Sequence, residues 1–128
     1  MTNHIELLNE IQSYINQIMD ISKNQHSYWM LSETFLLQAK LKLIIFKFEE
    51  AQKLLTEAYD VAEKYGQERL VKRILNEQDE FSKNFIKWEK LKASGVNMSE
   101  RMELAHIDEQ IEIILQKRRY LKEIYSKS

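Results

Sequence analysis

In 128 residues the chain contains no proline and only two glycines, Gly66 and Gly95. Proline is the strongest helix breaker, and glycine supplies the left-handed turns of tight hairpins. A many-stranded sheet would lack its turn residues, so long helices are the default expectation. Hydrophobic residues make up 44% of the sequence and charged residues 30%, a balance that suits one packed core rather than a disordered chain.

The charges themselves exclude some roles. With 19 basic and 20 acidic residues the formal net charge is −1, without the basic excess of a dedicated nucleic-acid binder. The absence of cysteine removes disulfides, thiolate zinc sites and thiol nucleophiles together. No apolar run approaches the roughly 20 residues of a membrane span, and the polar N-terminus lacks a signal-peptide core. A cytoplasmic protein is expected, bound to neither membrane nor nucleic acid. Met1 and a capped first helix suit a natural start.

Apolar spacing predicts five helices. The first covers about Ile5 to Ser22, with Asn3 and Glu6 spaced as a capping box. The second, about Tyr28 to Ile45 after a Ser27 cap, is apolar on more than one side, as in a helix sandwiched between neighbours. Trp29, Leu31, Phe35, Leu36 and Leu41 all read as its core positions. A third follows the Phe46–Lys47 turn and ends at Gly66. A fourth, about Gln67 to Lys92, carries Val71, Ile74, Gln78, Phe81, Phe85 and Trp88 at three- and four-residue steps. The last, about Ser99 to Tyr125 behind an Asn97–Glu100 capping box, carries Leu104, Ile107, Ile111, Ile114 and Leu121, interrupted by Arg118. That stripe is a candidate self-association seam and the expected partner of the fourth helix's aromatics. Each of these two helices would be on the order of 40 Å long.

The third helix places Ala51 and Ala58 where leucine would normally serve for burial. Its sequence EAQKLLTEAYDVAEK (50–64) also lies over EIQSYINQIMDISKN (10–24) at an offset of 40, with the apolar phase preserved. A period near 40 falls in the range of helical solenoid repeats. The stretch FLLQAKLKLIIFKFEEAQKLLTEAYDVAEKYG resembles a tetratricopeptide repeat of the longer-period kind. In that resemblance Ala39 is the small residue of the first helix, Phe35 its upstream aromatic and Phe48 the aromatic that opens the second. Ala51 and Ala58 match the two alanines that let paired helices approach closely. Gln38 and Lys42 depart from the pattern, and Glu63 stands near the position where a proline often closes the unit. The tail from Ser82 to Arg119 resembles a long-helix extension that follows such repeats in some archaeal proteins.

The resemblance implies an all-α fold of tetratricopeptide-like antiparallel helix pairs over 1–66, with a long helical hairpin over 67–128 packed on it as one folded unit. It also implies a concave face on the second helix, made by Glu33, Leu36, Leu37, Lys40, Leu43 and Ile44. A mostly apolar groove of this kind suits an amphipathic helix, from a partner, from a second copy in a homodimer, or from the chain's own last helix. Only Lys40 there resembles a clamp for a peptide carboxylate.

Catalytic and metal chemistry find little support. Glu103 and His106 form a Glu-x-x-His pair, but His4 and His26 lack a matching glutamate, and a di-iron bundle needs two such pairs. No phosphate-binding glycine loop or His-Glu-x-x-His occurs. Lys117 to Lys122 is the strongest basic cluster, diluted by Asp108, Glu109, Glu112 and Glu123. The expectation is a non-enzymatic protein-interaction or self-association module without cofactor or metal. The alternatives are a purely structural homodimeric bundle and a metal-binding carboxylate bundle.

Overall fold

A computed structural model describes residues 2–95 and 98–107. Within these the chain is all-α: α1 (Thr2–Asn24), α2 (Tyr28–Ile44), α3 (Phe48–Lys64), α4 (Glu68–Lys83), α5 (Phe85–Ser94) and α6 (Met98–Leu104). The first three connections are three residues each and use one device. A residue in the left-handed region ends the helix: His26 (φ 53°), Phe46 (φ 63°) and Gly66 (φ 69°). The next amide then reaches back to a carbonyl five residues earlier, Ser27 to Ser22 at 2.9 Å, Lys47 to Lys42 at 2.9 Å and Gln67 to Ala62 at 2.8 Å. These bonds satisfy carbonyls that the helix end leaves open. His106 (φ 56°) ends α6 in the same way, with Ile107 bonded to Met102. The turns at 26, 46 and 66 recur every 20 residues, so a helix pair occupies 40.

Of these four residues, Gly66 alone adopts this conformation without steric cost. Phe46 compensates through its ring, which sits edge-on to Phe48 and Trp88 and beneath the Arg101 guanidinium at 4.6 Å. His26 is exposed and makes one tilted ring contact with Tyr28.

α2 is the central helix. Its buried side chains form two clusters, one with α3 and α4 around Leu36, Ala39, Leu55 and Ile74, the other joining α1, α5 and α6 around Ile15, Leu41, Trp88 and Ile107. Each cluster thus draws residues from both halves of the chain. Ala39, Ala51 and Ala58 are fully buried. The buried Ser32 hydroxyl of α2 donates to the Ala58 carbonyl of α3 at 2.6 Å, an approach that a larger side chain at position 58 would obstruct.

Several boundaries differ from those predicted. α1 begins at Thr2, so Asn3 lies inside the helix rather than before it. Ser27 occupies the cap position of α2, but its hydroxyl makes no capping bond. The expected fourth helix is divided at Asn84, whose backbone leaves helical geometry (φ −100°, ψ 11°) while the ladder continues from Glu80 to Asn84 and on to Trp88. The division brings Phe81, Phe85 and Trp88 around one ring, with Phe48 5.9, 5.8 and 6.3 Å from them. Phe48 is therefore their shared aromatic partner, and Phe81 and Trp88 also share the second cluster with Leu104 and Ile107. The expected last helix is broken after Leu104, where His106 turns the chain and Ile107 folds back into the core. Leu104 and Ile107 consequently do not share a helical stripe. Asn97, Ile111, Ile114, Arg118 and Leu121 lie outside the described residues.

Two substitutions test these devices. His26→Gly removes left-handed strain at an exposed site and should stabilise the protein by about 0.5–1 kcal/mol. Ala58→Leu forces α2 from α3 and should destabilise by about 1–3 kcal/mol. Urea titrations of both variants give the two signs.

Candidate interaction surface

The residues expected to line an open apolar groove on α2 are mostly enclosed. Leu36 is buried between α2, α3 and α4, while Leu37, Leu43 and Ile44 belong to the second cluster. Helices on both sides of α2 cover them, so they cannot form a free docking strip. Arg101 of α6 reinforces that cover by donating to the Ile44 carbonyl at the end of α2 (3.0 Å), where a cation also opposes the negative end of the helix dipole.

Lys40 is the polar exception in this enclosure and is 3% exposed. Its ammonium lies 3.0 Å from the Glu77 carboxylate on α4 and donates to the His106 carbonyl at 3.1 Å. It thus ties α2, α4 and the turn after α6 at one point. Burial pushes its pKa below the ordinary lysine value, and the Glu77 carboxylate partly opposes that shift.

The α2–α4 face opens towards the start of both helices. Trp29, Glu33, Gln67, Arg69, Leu70 and Arg73 line a cleft of about 250 Å³, room for one large side chain. Trp29 is 47% exposed, contrary to its reading as a core position. α2 and α4 run in the same sense, so positions 40 apart meet: Arg73 donates to Glu33 at 2.7 Å across the cleft. Arg69 lies one turn away on the same face of α4, exposed and without an ion pair among the described residues. Arginines at i and i+4 repel, and Glu33 answers only one of them. The combination is an aromatic platform beside an uncompensated cation.

Two other features offer less. A depression of about 520 Å³ at Glu49, Gln52, Lys53 and Thr56 is larger, but it is the outward side of α3 alone. Leu75, Phe85 and Ile86 are exposed apolar positions on α4 and α5, interspersed with exposed polar residues such as Asp79 and Ser82. Among the described residues no three His, Cys, Asp or Glu side chains group as a metal site. Glu103 and His106 do not share a helix, since α6 ends at Leu104, and it is the His106 carbonyl that makes the bond to Lys40. The basic cluster from Lys117 to Lys122 lies outside the described residues. No described helix is long and apolar enough to cross a membrane. No protein-family model, curated protein or solved structure matches the chain.

Trp29 and Arg69 escaped the sequence reading, yet a signal was present. At the 40-residue offset Trp29 coincides with Arg69 and Glu33 with Arg73. A position charged in one unit faces solvent there, and its counterpart in the other unit tends to do the same.

The Lys40–Glu77 pair carries a pH-dependent expectation. Glu77→Gln leaves the buried ammonium without its counter-ion and should cost about 1–3 kcal/mol near neutral pH. Below the lowered folded-state pKa the burial penalty of Lys40 is fully present. Between that value and 10.5 the unfolded chain binds more protons, so stability from this group rises with pH. The deficit of Glu77→Gln relative to the parent should therefore shrink from pH 7 to pH 10 in paired urea titrations.

Proposed function

We propose that this chain is a non-enzymatic protein-interaction module of tetratricopeptide-like build that takes an amphipathic helix of a partner protein across its α2–α4 face. The observation that carries this reading is Trp29, nearly half exposed at the mouth of a cleft beside Arg69. Tryptophan and arginine are the side chains most enriched among binding hot spots, and an exposed indole in a concave site contributes only when a partner buries it. The cleft accepts one anchoring side chain, Leu70 supplies an apolar floor, and Arg69 with Arg73 favours a carboxylate one turn along the incoming helix. Lys40 lies too deep to touch a partner directly; its role is to hold the walls of the face together.

Selection from a helical peptide library displayed on phage tests the proposal. Ligands enriched on the parent chain should share an apolar anchor at helical spacing from an acidic residue. They should lose binding by about tenfold or more on Trp29→Ala. A library that yields no ligand, or ligands indifferent to Trp29→Ala, overturns it.

A further inference from the structure

We propose that the segment beginning at Asp108 is the first occupant of the α2–α4 cleft, a built-in competitor for the partner helix. The competitor role rests on the helix-binding reading above; the docking itself does not.

Three observations converge on this occupant. The first is where the described chain leaves off. Ile107 is fully buried, and the preceding carbonyl is held by Lys40, which also pairs with Glu77 of α4. The following residues therefore start at one end of the face that carries the cleft. The second is charge. The cleft presents Arg69 and Arg73 against the single carboxylate of Glu33. Directly after Ile107 the sequence supplies Asp108, Glu109 and Glu112 before its next cation, Lys117. Ile111 and Ile114 stand among them as apolar residues for Trp29 and Leu70.

The third is reach. Arg73 and Arg69 lie four and eight residues from Glu77 along α4, about 6 and 12 Å at the helical rise. Glu112 is five residues past Ile107, which spans about 7.5 Å if helical and about 17 Å if extended. An extended path is long enough to span the distance to both arginines, and a helical one long enough for that to Arg73. Twenty-one residues follow Ile107 in the sequence, more than the cleft requires. A tethered segment of this kind acts at millimolar effective concentration, so an outside helix must displace it and binds with reduced apparent affinity.

The absence of native cysteine permits a direct test in the full chain. A Gln67→Cys, Gln116→Cys double variant pairs the cleft mouth with the following segment, and Lys53→Cys, Gln116→Cys pairs that segment with the outward side of α3. A short bismaleimide should link 67 to 116 within one chain at least about tenfold faster than 53 to 116. Adding Asp108→Lys, Glu109→Lys and Glu112→Lys should abolish the difference, while circular dichroism verifies that the fold persists. The same three reversals in a cysteine-free chain should raise affinity for the selected peptides by about tenfold. Equal linking rates overturn the proposal, as do linked dimers that dominate at dilution, which make a second copy the occupant. If linking fails but the peptides still require Trp29, the inference falls and the helix-binding reading stands. If linking succeeds and no peptide binds, the face is an internal seam and the helix-binding reading falls.

Discussion

α2 and α3 approach so closely that the Ser32 hydroxyl lies 2.6 Å from the Ala58 carbonyl oxygen, and the remaining helices are arranged around that contact. Such proximity requires small residues at the crossing, which Ala39, Ala51 and Ala58 provide. It also leaves few dispersion contacts for each alanine, so area lost there must be recovered elsewhere. Recovery comes from the other sides of α2, where Leu36, Leu41 and Ile44 are covered by α1, α4 and α6. A central helix buried on several sides has little apolar surface left to offer a ligand. The open chemistry is displaced to its first turns, at Trp29 and Glu33, beyond the reach of the covering helices.

The architecture was legible because helix formation here is a matter of local pattern. Without proline, and with apolar residues at three- and four-residue steps, the spans of the first three helices follow to within a few residues. The 40-residue offset was visible for the same reason, since a regular helix–turn unit repeats its apolar phase. The turns were harder. Gly66 announced itself, but His26, Phe46 and His106 enter the left-handed region against local preference. Tertiary contacts hold Phe46 there, and His106 precedes an Ile107 drawn fully into the core. Propensity read along a sequence cannot register such compensation.

The candidate face was misread in an instructive way. Heptad spacing and apolarity cannot distinguish a residue covered by its own chain from one awaiting a partner. Leu37, Leu43 and Ile44 were therefore assigned to a groove they do not line, and Trp29 to a core it does not enter. The last helix failed for a related reason. Ile107 continues the stripe of Leu104 in sequence, but the chain turns at His106 and delivers Ile107 to the core from another direction. On sequence Lys40 reads as the one cation of a groove, whereas the structure buries its ammonium against Glu77 and the His106 carbonyl, partners too distant in sequence to foresee.

Lys40 also explains why the face and the chain end belong to one problem. A buried ammonium is tolerated only where its hydrogen bonds and charge are met. Glu77 meets the charge from one wall of the face, and the His106 carbonyl, on the strap that crosses its end, accepts a hydrogen bond from the ammonium. The fold therefore cannot move α4 relative to α2 without disturbing residues 105 to 107, nor release those residues without exposing Ile107 and loosening the ammonium that joins the two walls. Any ligand that spreads α2 from α4 works against the same three-way junction. The cleft at Trp29 lies about eleven residues up the helix from it, near 16 Å at the helical rise, far enough to admit a side chain while the junction stays closed.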